Sequence, residues 1–247
     1  MAVLGFSHIT SEVADIESSL EFYRRAGFDL KFRLTMLVAG CKQVILKHRA
    51  PTTELAYLVY QGDEACNLEL IEHKHTLKVD CPPAEKIKLT FMTNRVSEEK
   101  LIKDSDGNEI RILPSQGKTG VKTKHFFLPV KDVAASSRFY QQVFDMCEAG
   151  AHALTFPKCL HPNWDGYLHL VEEKSQSARR KYLDELGFHS FCFLVSSRDN
   201  DIYAKVPRDK VVGPIQEEKM IGHKKIAFEV GFVHDPDGYP VEYLLLS

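Results

Sequence analysis

Glu242 lies in VEYLLL, an otherwise apolar stretch, where an ionised carboxylate needs a partner to offset its desolvation. A bound metal would supply that partner; exposure at the rim of a strand would remove the need for one. Several imidazoles could join it. His8 and His125 each open an apolar run, HITSEV and HFFLPV, as a ligand or as a hydrogen-bonded strand histidine. His169 alternates in GYLHLVE as a half-buried strand residue would, sharing a face with Tyr167 and Val171. His189 precedes SFCFLV, His223 follows EEKMIG as a loop histidine would, and His234, in the turn before an Asp-Gly, is expected at the surface. Imidazole and carboxylate together can hold a divalent ion or move protons.

The composition narrows the classes. A chain of 247 residues suffices for one large or two medium domains. With 44% apolar and 27% charged residues it is ordinary globular protein, and no apolar run is long enough to cross a bilayer. The net charge of -2, with basic residues scattered, argues against nucleic acid or an anionic membrane as partner. The start, MAVLGFSHIT, has no export signal, so a cytoplasmic location is expected. Cys41, Cys66, Cys81, Cys147, Cys159 and Cys192 form no CxxC pair and read as reduced, mostly buried small hydrophobes. A G-x-S-x-G elbow, a P-loop and a dinucleotide fingerprint are all missing.

An internal repeat organises these residues. HITSEVADIESSLEFYRRAGF from His8 and HFFLPVKDVAASSRFYQQVF from His125 match in His, Asp (Asp15, Asp132), Ser (Ser19, Ser136) and a Phe-Tyr pair (Phe22-Tyr23, Phe139-Tyr140) at the same offsets. Each reads as a strand running into a helix, with the Asp as N-cap and Gly27 able to end the first helix. Strand-like stretches follow: DLKFRLTML, LAYLVYQ and NLELIEH, then GYLHLVE. Two more apolar strands, IKLTFMTN and FHSFCFLVSS, each lead to a D-x-D-G hairpin turn, in DSDGNEIRIL and DPDGYPVEYLLL. The chain thus reads as four modules in two halves, residues 1–113 and 123–247, joined by a polar linker at 114–122. The second module is too short for a full helix and three strands.

The repeated H…D…FY opening with the closing DPDGYPVEYL resembles the vicinal oxygen chelate superfamily, which includes glyoxalases, bleomycin resistance proteins and extradiol dioxygenases. The resemblance spans nearly the whole chain. It implies an α+β fold of tandem βαβββ modules whose two cupped mixed sheets surround a divalent metal. It places ligand positions at His8 and Glu69 in module one, Lys88 and Arg111 in module two, His125 and His169 in module three, and His189 or Ser190 with Glu242 in module four.

Two pairings of modules are open. If one pairs with two and three with four, Glu69 can form a salt bridge with Lys88 and Arg111, and the C-terminal half carries the site: His125, His169 and Glu242, with His189 as a further ligand. This pairing is preferred, because the other gathers Lys88, Arg111, His125 and His169 into one cationic cup. The other, known from fused glyoxalase-like chains, would give His8, Glu69, His189 and Glu242. The spacing of His223, Phe232, Asp235-Pro236, Gly238 and Glu242 fits the frame before the last ligand of extradiol dioxygenases, except that Phe232 replaces a Tyr and cannot hydrogen-bond a substrate oxygen.

The resemblance therefore implies a metal-dependent enzyme acting on a small substrate with two neighbouring oxygens. Ring-cleaving dioxygenation with Fe(II) or Mn(II) is the first expectation, with His223 and Glu242 as catalytic groups. A glyoxalase-type lyase or isomerase with Zn(II) or Ni(II) is the second, and a metal-free drug-binding protein the third. A homodimer is allowed for.

Overall fold

The computed structural model describes residues 3–38, 40, 42–74, 79–115, 123–157, 159, 165–175, 179–196, 202–221 and 224–246. Module one comprises β1 (Val3–Glu12), α1 (Ile16–Ala26), β2 (Phe28–Leu37), β3 (Thr52–Tyr60) and β4 (Asp63–His73). Module two has β5 (Lys88–Thr93), β6 (Lys100–Lys103) and β7 (Glu109–Pro114), with no α-helix among its described residues. Module three has β8 (Thr123–Val130), α2 (Val133–Phe144), β9 (Cys147–Gly150), β10 (Ala153–Thr155) and β11 (Gly166–Glu172). Module four has β12 (Gly187–Ser196), a single-turn α3 (Ile202–Lys205), β13 (Val211–Ile221), β14 (Lys224–His234) and β15 (Pro240–Leu246). Most of the linker expected at 114–122 lies outside the described residues.

The sheets pair modules across the two halves. One has eight strands in the order β13-β14-β15-β12-β1-β4-β3-β2, uniting modules four and one; the other has seven, β6-β7-β5-β8-β11-β10-β9, uniting two and three. The preferred pairing of module three with four is therefore not the one adopted. Each sheet is centred on an antiparallel pair, β1 with β12 and β5 with β8, flanked by parallel β4, β15, β7 and β11.

Local signals account for the helices. Asp15 accepts a 2.7 Å hydrogen bond from the Ser18 amide and Asp132 one of 3.0 Å from Ala135, each satisfying a first-turn donor. Gly27 ends α1 at φ 103°, which a side chain would oppose. The apolar stripes of α1 and α2 join a core in which Phe6, Phe126, Phe156, Phe191 and Phe193 fill the space between the sheets.

The repeated residues also act across the sheets. Tyr23 of module one donates a 2.6 Å hydrogen bond to Asp104 in the turn of module two, and Tyr140 of module three a 2.9 Å bond to Asp235 in the turn of module four. Ser136 adds a bond to Asp237. Asp235 accepts from the amides of Asp237 and Tyr239, and burial beside Asp237 raises its pKa to about 7 against these hydrogen bonds. The Phe-Tyr pairs and the D-x-D-G turns are thus two ends of one staple, used once in each half.

Candidate metal centre

Along the eight-stranded sheet, alternate residues sort to two faces, as the pleat requires. Ile9, Leu68, Leu70, Phe191, Phe193 and Tyr243 go to the inter-sheet core. The opposite face receives His8, Glu69, Cys192 and Glu242.

The register explains why these four converge. Glu69 on β4 lies beside Thr10 on β1 and Tyr57 on β3, while Cys192 on β12 lies beside Glu242 on β15. His8 Nε2 is 3.2 Å from Glu69 Oε2 and 3.8 Å from Glu242 Oε2. Ligand atoms of His8, Cys192 and Glu242 all fall within 4.8 Å of one another. His8 stands in an irregular stretch of β1, between Phe6 and Ile9, where the ladder with β12 shifts register. Across the sheets, the buried Lys124 of β8 donates a 2.6 Å hydrogen bond to the carbonyl of Ser7 and a longer one to Phe6, tying down this irregularity. Burial lowers the pKa of Lys124 to about 8.

Three of the four groups are buried, and Glu242 is partly so. His8 is 5% exposed, Glu69 6% and Cys192 0%. Although both carboxylates are near His8 Nε2, neither lies where a ring N–H would make an aligned hydrogen bond. The nitrogen is directed into the space between them. Burial by itself would lower the His8 pKa, but the two carboxylates beside it, Glu69 first and then Glu242, outweigh it and raise the value to about 9. Thr10 Oγ1 donates to Glu69 Oε2 at 3.2 Å, and Ser7 Oγ lies 2.9 Å from His8 Nδ1, so both groups are oriented from behind. The donors therefore fit a divalent ion: the imidazole of His8, the thiol of Cys192 and the carboxylate of Glu242 lie within reach of one point, with Glu69 beside His8 Nε2.

Two walls bound the cup. Tyr57 meets His8 edge-on at 5.8 Å between centroids and stacks on Phe32 at 5.2 Å. Burial, followed by the charge of Glu69, pushes the Tyr57 phenol above its usual pKa, so it stays protonated. On the other side Phe232, directly across the ladder from Glu242, packs with Ile45, Leu46, Ala50 and Leu183. This strap, residues 42–50, is fixed by Asp184, which accepts from the amides of Lys47 at 2.7 Å and His48 at 2.9 Å.

The second sheet presents a different face. His125 Nδ1 and His169 Nε2 are 2.9 Å apart, His125 stacks on Tyr167, and His169 stacks on Phe127. Burial, then the neighbouring His169, lowers the His125 pKa to about 4; burial also lowers that of His169. Thr90 links the strands, opposite His125 on one side and Arg111 on the other. Lys88 and Arg111 are exposed, and Arg111 forms an ion pair with Glu99, so the cationic cup carries little desolvation cost.

The expected set His125, His169 and Glu242 is accordingly divided between two sheets: the imidazoles are on β8 and β11, the carboxylate on β15. The alternative set fares better, since His8, Glu69 and Glu242 come together. Its fourth member, His189, lies on β12, but its side chain is outside the described residues, as is His223 altogether. Ser190 is buried and donates to the Pro240 carbonyl, and Cys192 occupies the place beside Glu242. The available signal for Cys192 was alternation: in FHSFCFLVS it shares a face with Ser190, opposite the core residues Phe191, Phe193 and Val195. His234, expected at the surface, is buried, at 5% exposure.

No protein-family model and no curated protein sequence matches the chain. Solved structures do. Glyoxalase I from Zea mays superposes with a TM-score of 0.59 at 12% identity, covering 98% of this chain and 92% of that one. A Bacillus subtilis protein provisionally assigned as a dioxygenase superposes with a TM-score of 0.61 at 9% identity, covering 98% and 85%. Among the described residues no helix is long and apolar enough to span a membrane. Together with the two sheets of paired modules, these likenesses show that the chain has the fold of the vicinal oxygen chelate superfamily.

Proposed function

We propose that the protein is a metal-dependent enzyme of glyoxalase type, centred on His8, Glu69 and Glu242, that moves a proton within a small substrate bearing two neighbouring oxygens. The observation that carries this reading is the convergence of the three groups around the unpartnered Nε2 of His8. A divalent ion held there would polarise the substrate oxygens as a Lewis acid. His8 and Glu69, oriented by Ser7 and Thr10, form the fixed side of the centre. Glu242, whose side chain is 12% exposed against 7% for Glu69, is the carboxylate best placed to exchange a proton with a substrate carbon. The protonated Tyr57 phenol is a donor at the same rim. Tyr57 and Phe32 together offer an aromatic wall, which suits a substrate with an apolar or aromatic arm. The strap over Phe232 limits access by water.

An extradiol-type dioxygenase is less well supported. Its two-His-one-carboxylate set does not assemble on one sheet, and Phe232 packs under the strap in the position where the phenol would be needed. A metal-free binding protein is the second reading, favoured by a His8 imidazolium that can itself balance the two carboxylates. The test is metal analysis of chelator-free protein, followed by assay of thiol adducts of 2-oxoaldehydes beside catechols. About one ion per chain and turnover of the adducts supports the proposal. Catechol cleavage alone, or an ion-free protein that still binds aromatic ligands, rules it out.

A further inference from the structure

The sulfur in the cup is not part of the ligand scheme suggested by the sequence. Cys192 Sγ lies in the same cluster of ligand atoms as His8 Nε2 and Glu242, all within 4.8 Å of one another. Its place is set by the parallel ladder of β12 with β15, in which it is the direct neighbour of Glu242. A second observation makes this more than a buried thiol among acids. His8 Nε2, on a residue 5% exposed, has no aligned hydrogen-bond partner and is directed into the same space.

A contrasting cluster has similar donors but another purpose. Cys81, Glu85 and Glu185 also lie within 4.8 Å of one another. There the Arg179 guanidinium binds both carboxylates, at 2.7 Å to Glu85 and 2.6 Å to Glu185, and already supplies the cation. That cluster is an ion-pair knot. In the cup the group facing the two carboxylates is the His8 imidazole, whose Nε2 makes no aligned hydrogen bond.

We infer that Cys192 is a metal ligand of the cup and that its sulfur selects a thiophilic divalent ion, Zn(II) or its surrogate Co(II), over Mn(II) or Fe(II). This rests on the proposed metal centre and specifies its fourth ligand. Carboxylate and imidazole ligands discriminate little between these ions beyond their common order of affinity, whereas thiolate favours the softer ones. Binding displaces the thiol proton to solvent, leaving the sulfur as a thiolate donor.

The experiment is Co(II), Zn(II) and Mn(II) titration of full-length, chelator-treated protein, wild type beside Cys192→Ser. Wild type should take up about one Co(II) per chain with an intense near-ultraviolet sulfur-to-cobalt band. Cys192→Ser, nearly the same size, should lose that band and weaken Zn(II) binding by more than the 10- to 100-fold typical of a supporting residue, while changing Mn(II) binding far less. One Co(II) per chain without the sulfur band, or the same band and affinity in Cys192→Ser, overturns the inference and leaves the metal centre standing. Failure of wild type and Cys192→Ser alike to bind any of the three ions overturns both. Near-native circular dichroism and thermal melting of Cys192→Ser distinguish ligand loss from misfolding.

Discussion

The two sheets of this protein have the same frame, and the faces that carry their histidines have opposite chemistry. Each is centred on an antiparallel pair of strands and flanked by parallel ones, and each half of the chain is stapled by one tyrosine to one D-x-D-G turn. Among the described residues, one face gathers carboxylates and a thiol around the buried His8 imidazole; the other exposes a stack of neutral imidazoles and aromatic rings beside Lys88 and Arg111. The two halves share scaffold and staple, while the residues on these faces differ in chemistry. A site is defined by what those residues are, not by the presence of a cup.

Removing a histidine from each face should separate them most clearly. In chelated protein at neutral pH, His8→Ala leaves Glu69 and Glu242 without their shared cation and should cost about 3–5 kcal/mol, as loss of one partner in a buried ion cluster does. His125→Ala removes two neutral hydrogen bonds, to Thr123 and His169, on a half-exposed face and should cost about 1–2 kcal/mol. Urea unfolding measures both, and equal costs would contradict the contrast.

The shared frame makes a second prediction. Tyr140→Phe and Tyr23→Phe each delete one hydrogen bond to a turn aspartate, and each should lower stability by about 1–3 kcal/mol. Similar losses in the two halves would support a common staple; a loss confined to one half would mean that the other turn is held by different contacts.

Titration sharpens the comparison further, because the two histidines shift in opposite directions. The folded pKa of His8 is raised from 6.5 to about 9, so its stabilising contribution is complete below pH 6.5 and is lost as pH rises toward and through 9. That of His125 is lowered from 6.5 to about 4, so its contribution is complete above pH 6.5 and is lost as pH falls from there toward 4. Melting temperatures of chelated wild type, His8→Gln and His125→Gln across this range should show the alkaline loss disappear only in the first variant and the acid loss diminish only in the second. The smallest effect is expected at the exposed Arg111, where Arg111→Ala should change stability by no more than about 0.5 kcal/mol and leave metal binding alone.

Much of the frame was legible because local chemistry dictates it. Asp15 and Asp132 cap helices wherever those helices sit, and the Asp-Gly turns end strands by the same rules in any sheet. The pairing of modules was not legible, because it is decided by contacts such as Phe6 with Phe126 between residues far apart in sequence. Charge favours the other pairing only if Lys88 and Arg111 are buried; both are exposed, so that desolvation cost does not arise. Glu69, His8 and Glu242 could be located from the repeat. Cys192 was not reached, because the resemblance put the first-strand position of module four at His189 or Ser190, whereas β1 and β12 shift register next to His8, and a shift of this kind changes which residue faces inward.

The most direct test is the metal content of wild-type protein and of two variants, Glu242→Ala and the double change His125→Ala/His169→Ala, all purified without chelator. About one divalent ion per chain in wild type and in the double variant, with loss of the ion in Glu242→Ala, is the predicted result. Retention of the ion in Glu242→Ala, or its loss in the double variant, would contradict the assignment of the site to the acidic face.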